Sequence, residues 1–117
     1  MPMKETGNVI IDLSFRFALD IISFTEVLES ARKFVVANQL LRSGTSIGAN
    51  VREAQNCESK ADFVHKLKIA AKEAEETEYW LELCKHSENY PIETKLLEDI
   101  KILQKIINKI INTAKSR

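Results

Sequence analysis

Glycine, proline and cysteine are scarce in this sequence of 117 residues, which contains three, two and two of them. Glycine and proline weaken or end helices, whereas the abundant Glu, Lys, Leu, Ile and Ala are compatible with helices. The composition therefore predicts an all-α fold. Because 44% of the residues are apolar and the chain has the usual length of one domain, we expect residues 1–117 to form a single domain.

The two cysteines, Cys57 and Cys84, are too far apart in the sequence for the close spacing of metal ligands. They are interpreted as buried or half-buried thiols of a reducing compartment. Long hydrophobic runs are also lacking, because the apolar segment 9–24 contains Asp12, Arg16 and Asp20 and no small-residue cleavage site follows it. These features predict a soluble, cytoplasmic protein without a membrane partner.

The chain also lacks net charge, since seventeen basic residues balance seventeen acidic ones. No global field therefore draws it toward nucleic acid or an anionic membrane. The distribution is uneven, with six basic and two acidic residues in segment 95–117. The candidate nucleic-acid contacts lie in this segment: Lys101, Lys105, Lys109, Lys115 and Arg117. The competing interpretation is a solvated helix face.

Apolar side chains recur every three or four residues in four segments of the chain. This periodicity predicts helices at about 8–29, 33–57, 60–86 and 93–115. The turn between the first two helices is placed near residues 30–33, with Ser30 as a candidate cap of the second. Ser59 and Asp62 resemble a capping box at the start of the third.

The fourth helix has two apolar rows where one is expected. The first row contains Leu96, Ile100, Leu103, Ile107, Ile110 and Ala114, and beside it lie Leu97, Ile102, Ile106 and Ile111. A lone four-helix bundle does not need both rows, so the pattern predicts self-association.

The segment RSGTSIGANVREA, residues 42–54, has two glycines four residues apart and is the strongest candidate for a chemical motif. A phosphate-binding Walker A loop requires a lysine beside its last glycine and a strand before its first. Here Gly48 is followed by Ala49, and the residues before Gly44 have a helical pattern. We therefore expect both glycines inside the second helix, where they allow another backbone to approach closely.

Polar positions on the second and third helices form a candidate polar cluster. Helical spacing places them on facing stripes between helices or between subunits. The members are Ser46, Asn50, Glu53, Lys66, Lys72, Glu73 and Glu76. Two interpretations are open: buried polar groups that fix the register and assembly of the helices, or a ligand site.

No metal, cofactor or catalytic site is predicted. A di-iron centre in a helix bundle uses two Glu-x-x-His pairs, and this chain has only the related pair of Asp62 and His65. His86 has no acidic residue three positions before it, and the sequence has no nucleophile elbow. We therefore expect no enzymatic activity.

Two segments carry a resemblance to a known family: QLLRSGTSIGANVREAQ at residues 39–55 and DFVHKLKIAAKEAEETEYWLELC at residues 62–84. With the spacing between them, they look like the bacterial four-helix bundle family also called 23S rRNA-intervening-sequence proteins. The resemblance covers nearly the whole chain. It implies an antiparallel up-and-down four-helix bundle that assembles as a ring-like homopentamer and has no established enzymatic activity.

The resemblance also identifies recurrent residues, to which it assigns no role. They are the seven residues of the candidate polar cluster together with Phe63, Tyr79 and Trp80. On this ground Tyr79 is added to the candidate polar cluster. The family typically has Glu-Glu or Ala-Glu where this chain has Arg52 and Glu53. A related branch, the accessory variability proteins of diversity-generating retroelements, is similar in fold, pentameric and basic. Members of that branch bind nucleic acid and assist a reverse transcriptase.

The leading functional hypothesis from the sequence is a non-enzymatic homopentamer that acts as a scaffold or accessory factor. The alternative is an RNA- or DNA-binding accessory protein. Such a protein would use the basic residues of the fourth helix, and five-fold symmetry would multiply their charge around the ring.

Overall fold

The computed structural model describes residues 5–117, which contain four α-helices and no strand. The helices are α1 (Val9–Ser30), α2 (Phe34–Gln55), α3 (Lys60–His86) and α4 (Thr94–Lys115). The all-α prediction is confirmed. The boundaries expected from periodicity differ from the observed ones by two residues at most.

Polar side chains cap the first turns of α1 and α3. Asn8 accepts a hydrogen bond from the amide of Ile11 at 3.4 Å. Ser59 accepts one from the amide of Asp62 at 3.1 Å, in agreement with the sequence pattern. Each bond satisfies an amide that the first helical turn leaves without an intrahelical partner.

The turn between α1 and α2 is closed by backbone hydrogen bonds. Ser30 is the last residue of α1, and α2 begins after Lys33 without a side-chain cap, so the expectation that Ser30 caps α2 is wrong. Arg32 has a φ of 64°, in the left-handed region, and its amide donates to the carbonyl of Glu29 at 2.8 Å. The amide of Lys33 donates to the carbonyl of Leu28 at the same distance. These bonds pair the last carbonyls of α1, the helix to which Ser30 belongs, whereas Lys33 occupies the N-cap position of α2.

Helices that follow each other in the sequence also pack against each other. α2 contacts α1 and α3, and α4 contacts α3 and α1, whereas within residues 5–117 α1 does not contact α3 and α2 does not contact α4. Each helix therefore has two neighbours and buries a broad apolar face. The largest fully buried aliphatic side chains include Ile21, Leu28, Leu40, Ile47, Leu67, Leu96, Ile100, Leu103 and Ile107.

The two apolar rows of α4 are mostly used within the monomer. Leu97 and Ile111, from the second row, are 7% exposed, and Ile106 packs partly buried against the core. Only Ile102 of that row is half exposed. Because α4 lies between α1 and α3, it needs a wider apolar face than a helix with one neighbour. The second row therefore does not form a free surface for self-association, contrary to the interpretation from the sequence.

Gly44 lies at a very close contact between α1 and α2. A Cβ atom placed at Gly44 would be 2.8 Å from Cγ1 and 2.9 Å from Cγ2 of Ile21, closer than carbon atoms approach without a clash. At Gly48 the added Cβ would lie 3.3 Å from the carbonyl oxygen of Ser14, a milder conflict. Both glycines are inside α2, as expected, and each lets α1 approach its backbone.

Replacement of Gly44 by Ala is expected to destabilise the protein, although alanine favours helices by about 1 kcal/mol over glycine. The β-branched side chain of Ile21 is stiff at χ1 and cannot move its γ atoms away. We expect the free energy of unfolding to fall by about 1–3 kcal/mol, as measured by urea denaturation at fixed protein concentration.

Ile21→Ala provides the control for this prediction, because it removes the atoms that clash. In that background Gly44→Ala should cause no further loss of stability. An equal loss in both backgrounds would mean that the contact with Ile21 does not limit the residue at position 44.

Candidate functional site

The polar contacts between α2 and α3 are centred on Arg42. Its guanidinium forms ion pairs with both Glu73, at 3.2 Å, and Glu76. The indole Nε1 of Trp80 donates to the same Oε2 of Glu76 at 3.2 Å. We call these four residues the Arg42 cluster.

Helical spacing explains how α3 presents its part of the Arg42 cluster. Glu73, Glu76 and Trp80 occur at i, i+3 and i+7 and therefore share one face of α3. The side chain of Glu73 is only 18% exposed, whereas Arg42 is 52% exposed. The hydrogen bond to Glu76, together with the negative charges of both carboxylates, raises the pKa of Arg42. The guanidinium is thus held as a cation between two acidic groups.

Sequence reasoning missed Arg42, although a signal for it was present. Arg42 lies one turn before Ser46 on the stripe that continues with Asn50 and Glu53. The stripe therefore extends one turn further toward the start of α2 than the sequence analysis assumed.

The other candidate residues of α2 are arranged differently. Ser46 donates to the carbonyl of Arg42 at 2.6 Å, and Asn50 donates to the carbonyl of Ser46 at 2.9 Å, so both bond to their own helix. Glu53 pairs with Lys66 of α3 at 3.1 Å. The candidate polar cluster thus contains two separate ion-pair groups, with Ser46 and Asn50 between them.

Two candidate residues of α3 lie outside both ion-pair groups. Lys72 is exposed. Tyr79 is 59% exposed, and its ring packs edge-to-face against Trp80, with the ring centroids 5.5 Å apart. The exposed aromatic edge of Tyr79 extends the Arg42 cluster toward the end of α3.

A buried hydrogen bond lies beneath the Arg42 cluster. The hydroxyl oxygens of Ser43 and Thr77 are 3.0 Å apart, and both residues are fully buried. The hydroxyl of Thr77 also lies 2.7 Å from the carbonyl of Glu73. Within residues 5–117, no buried side-chain nitrogen or oxygen lacks a hydrogen-bond partner. The interior of this interface is therefore satisfied by the protein itself.

The basic residues of α4 form a separate surface. Lys101, Lys105 and Lys109 are exposed and occur at i, i+4 and i+8, so they form one row along the helix. Lys115 and Arg117 are exposed at the end of α4, where the carbonyl of Arg117 accepts a hydrogen bond from Lys60. The structure thus places all five candidate nucleic-acid contacts at solvent-accessible positions.

Residues 5–117 contain neither a metal-ligand cluster nor a helix suited to cross a membrane. No three His, Cys, Asp or Glu side chains there converge as metal ligands do. None of the four helices combines the length and the apolar character needed to cross a bilayer. Both cysteines are free; Cys84 is buried, and its burial raises the pKa of the thiol.

The sequence matches the family model described as 23S rRNA-intervening sequence protein over residues 7–111. The chain belongs to this family. It is also similar to a crystallised protein of unknown function from the S23 ribosomal protein family of Bacteroides thetaiotaomicron VPI-5482, with 46% identity and a TM-score of 0.83. The alignment covers 87% of this chain and 97% of that one. A comparison with curated proteins found no significant match.

The family match confirms the resemblance found in segments 39–55 and 62–84. These segments contain both halves of the α2–α3 interface, including the Arg42 cluster and the buried pair of Ser43 and Thr77. Family membership gives the chain a fold with a solved relative, but it assigns no activity to the interface.

Replacement of Thr77 by Val is expected to lower the free energy of unfolding by about 1–2 kcal/mol, because it leaves the buried hydroxyl of Ser43 without its cross-helix partner. Urea denaturation measures this loss. In the double variant Ser43→Ala, Thr77→Val neither hydroxyl remains, so the loss should be clearly smaller than the sum of the two single losses. Additive losses would contradict a direct interaction between the two residues.

Proposed function

We propose that this protein is a non-enzymatic, homo-oligomeric scaffold or accessory factor built on a four-helix bundle. The observation that carries the proposal is the exposure of large apolar side chains on two sides of the molecule. On α1, Phe15, Leu19 and Ile22 are 37%, 45% and 40% exposed. A second group lies where α2 begins, α3 ends and α4 begins: Phe34, Val35, Tyr79, Leu83 and Ile92. Groups of large apolar side chains exposed to solvent are typical of protein interfaces.

The proposal includes an antiparallel up-and-down topology. The contact registers support it: along α1 and α2, Ser14 lies opposite Gly48, whereas the later residue Ile21 lies opposite the earlier residue Gly44. The contacts of α2 with α3 reverse in the same way, from Ser43 with Thr77 to Glu53 with Lys66. The connections at residues 31–33, 56–59 and 87–93 are short, as expected between antiparallel neighbours.

A structural role is assigned to the Arg42 cluster. Its two carboxylates are already engaged by Arg42 and by the indole of Trp80. Such an arrangement fixes the position of α2 against α3 and offers no unengaged acid or base to a substrate. A cytoplasmic location is part of the proposal, because Cys57 and Cys84 are free thiols, which are typical of a reducing compartment.

The expected assembly is a ring-like homopentamer, as the family resemblance implies. A ring closes through a head-to-tail contact, in which two different patches of one protomer meet those of its neighbours. The exposed apolar groups on two sides of the molecule provide such different patches.

Sedimentation or light scattering at micromolar concentration measures the assembly directly. We expect a mass that corresponds to a multiple of five chains of 13.3 kDa, because burial of the exposed apolar side chains favours the closed ring. A monomer at this concentration would contradict the proposal.

A second candidate function is binding of RNA or DNA by the assembled ring. It is favoured by the exposed row of Lys101, Lys105 and Lys109 on α4. Five-fold repetition of this row would give a phosphate-binding surface, although the single chain has no net charge.

The triple variant Lys101→Ala, Lys105→Ala, Lys109→Ala tests this second function. If the row contacts phosphates, affinity for mixed-sequence RNA falls with rising salt, and the variant binds more weakly with a shallower salt dependence. Fluorescence anisotropy between low and physiological salt measures both quantities. The matched control replaces three exposed lysines of α3, Lys68, Lys72 and Lys85, with alanine and should bind like the wild type. Salt-independent binding, or no binding, would exclude this function.

A further inference from the structure

The seam between α1 and α4 is the most open part of the bundle. Of the four pairs of neighbouring helices, α1 and α4 have the least contact with each other. Two cavities of about 200 Å³ each lie along this seam, and Asp20 and Lys95 line both of them. The two cavities therefore form the halves of one groove between residues 13–27 of α1 and residues 93–103 of α4. We call it the α1–α4 groove.

Each half of the α1–α4 groove has an apolar floor and a half-exposed aliphatic residue at its edge. The floor consists of buried side chains such as Phe17 and Leu96. Val27 lines one half and Ile102 lines the other, and each is 50% exposed. Neither residue belongs to the two apolar groups that are assigned to the ring contacts. The groove therefore offers apolar surface that the proposed ring does not use.

The edge of the α1–α4 groove is acidic. Together with Glu5, which pairs with Arg16, it has four carboxylates and two cations: Glu5, Asp20, Glu93, Asp99, Arg16 and Lys95. The ammonium group of Lys95 is shared between Asp20, at 3.5 Å, and Asp99, at 3.8 Å. Within residues 5–117, Glu93 forms no salt bridge. An occupant of the groove must therefore bring positive charge beside its apolar side chains.

The two halves of the α1–α4 groove have the spacing of two helical turns. On α1, one half extends from Leu13 to Asp20 and the other from Asp20 to Val27. Their centres are seven residues apart, which corresponds to a rise of about 10 Å along the helix. Residues i and i+7 of a helix have the same separation and share one face. A further helix along the seam can therefore place one side chain in each half.

We propose that the α1–α4 groove binds a basic amphipathic helix of a partner protein. Two aliphatic side chains of this helix, seven residues apart, occupy the two halves of the groove. Lys or Arg side chains on either side of them pair with Asp20, Glu93 and Asp99. This is the helix-in-groove mode of recognition. The inference rests on the accessory role proposed above and adds to it the chemical class of the partner.

The walls of the groove favour a helix over an extended segment. Both walls are helices, whose backbone groups are bonded within their own helices. An extended segment would find no backbone partners there, and its own amides and carbonyls would be left unpaired on burial. A helix satisfies these groups internally. The acidic edge also opposes nucleic acid, so the groove is a different surface from the lysine row of α4.

A designed peptide tests the proposed groove on the chain of 117 residues. The probe is a fluorescein-labelled, alanine-rich helical peptide of about 18 residues, with two leucines seven residues apart and lysines on either side of them. The control peptide has the same composition, but its leucines are five residues apart and lie on different faces. We expect saturable binding of one probe per chain, and about tenfold weaker binding of the control, measured by fluorescence anisotropy.

Variants of the protein show whether the probe binds in the groove. The double variant Val27→Gln, Ile102→Gln removes an aliphatic side chain from each half and should weaken binding about tenfold. Asp99→Asn removes a carboxylate from the edge and should weaken binding about threefold. Glu75→Gln is the matched control, because Glu75 is exposed on α3, which does not contact α1. It should bind the probe like the wild type, and circular dichroism verifies that each variant is folded.

Three results would overturn the proposed groove: no saturable binding, equal binding of the two peptides, or binding that the groove variants do not weaken. A fourth is a lower mass of the double variant in the absence of peptide, because the groove would then hold another copy of the chain. Failure of the ring is distinguishable from failure of the groove. A pentamer that does not bind the probe overturns only the groove, whereas a monomer that binds it in the groove overturns only the ring.

Discussion

The close contact of α1 with α2 at Gly44 is the constraint on which the rest of the structure depends. The side chain of Ile21 occupies the space where a side chain at position 44 would lie, so it packs directly against the backbone of α2. This fixes how α2 is rotated about its axis. Ser43, the preceding residue, is then directed to Thr77 of α3, while the polar stripe that begins at Arg42 follows the outer edge of the same interface. On α1, Phe15, Leu19 and Ile22 are on a different face of the helix from Ile21 and remain exposed.

The polar contacts between α2 and α3 differ in depth, and their contributions differ accordingly. The hydroxyl pair of Ser43 and Thr77 is fully buried, so an error in helix register would leave buried polar groups unpaired. The ion pairs of Arg42 are partly exposed and contribute less to stability than their number implies. Their proposed effect is on specificity, because the observed register pairs Arg42 with both carboxylates. The role proposed for this interface is therefore to position α2 against α3.

Particular residues show where prediction from the sequence worked and where it could not. The helices and the cap at Ser59 follow from local rules, because periodicity and first-turn hydrogen bonding involve residues close in the sequence. Ser46 and Asn50 have the spacing of interface residues but bond to their own helix, and the spacing alone does not distinguish the two outcomes. The second apolar row of α4 predicts self-association from the sequence, but most of this row is buried within one chain. Periodicity shows which residues share a face of a helix and does not show how many other helices pack against it.

The sequence by itself determined that the chain forms four helices, that Gly44 and Gly48 belong to one of them, and that the chain belongs to a family with a solved relative. Only the tertiary structure decided which apolar rows are internal and which are exposed. It also decided that Arg42 is the residue that joins the carboxylates of α3. The reason is physical: helix formation depends on contacts within one or two turns, whereas burial and pairing depend on the rotation and neighbours of each helix. Those are set by long-range packing, here beginning with Ile21 against Gly44.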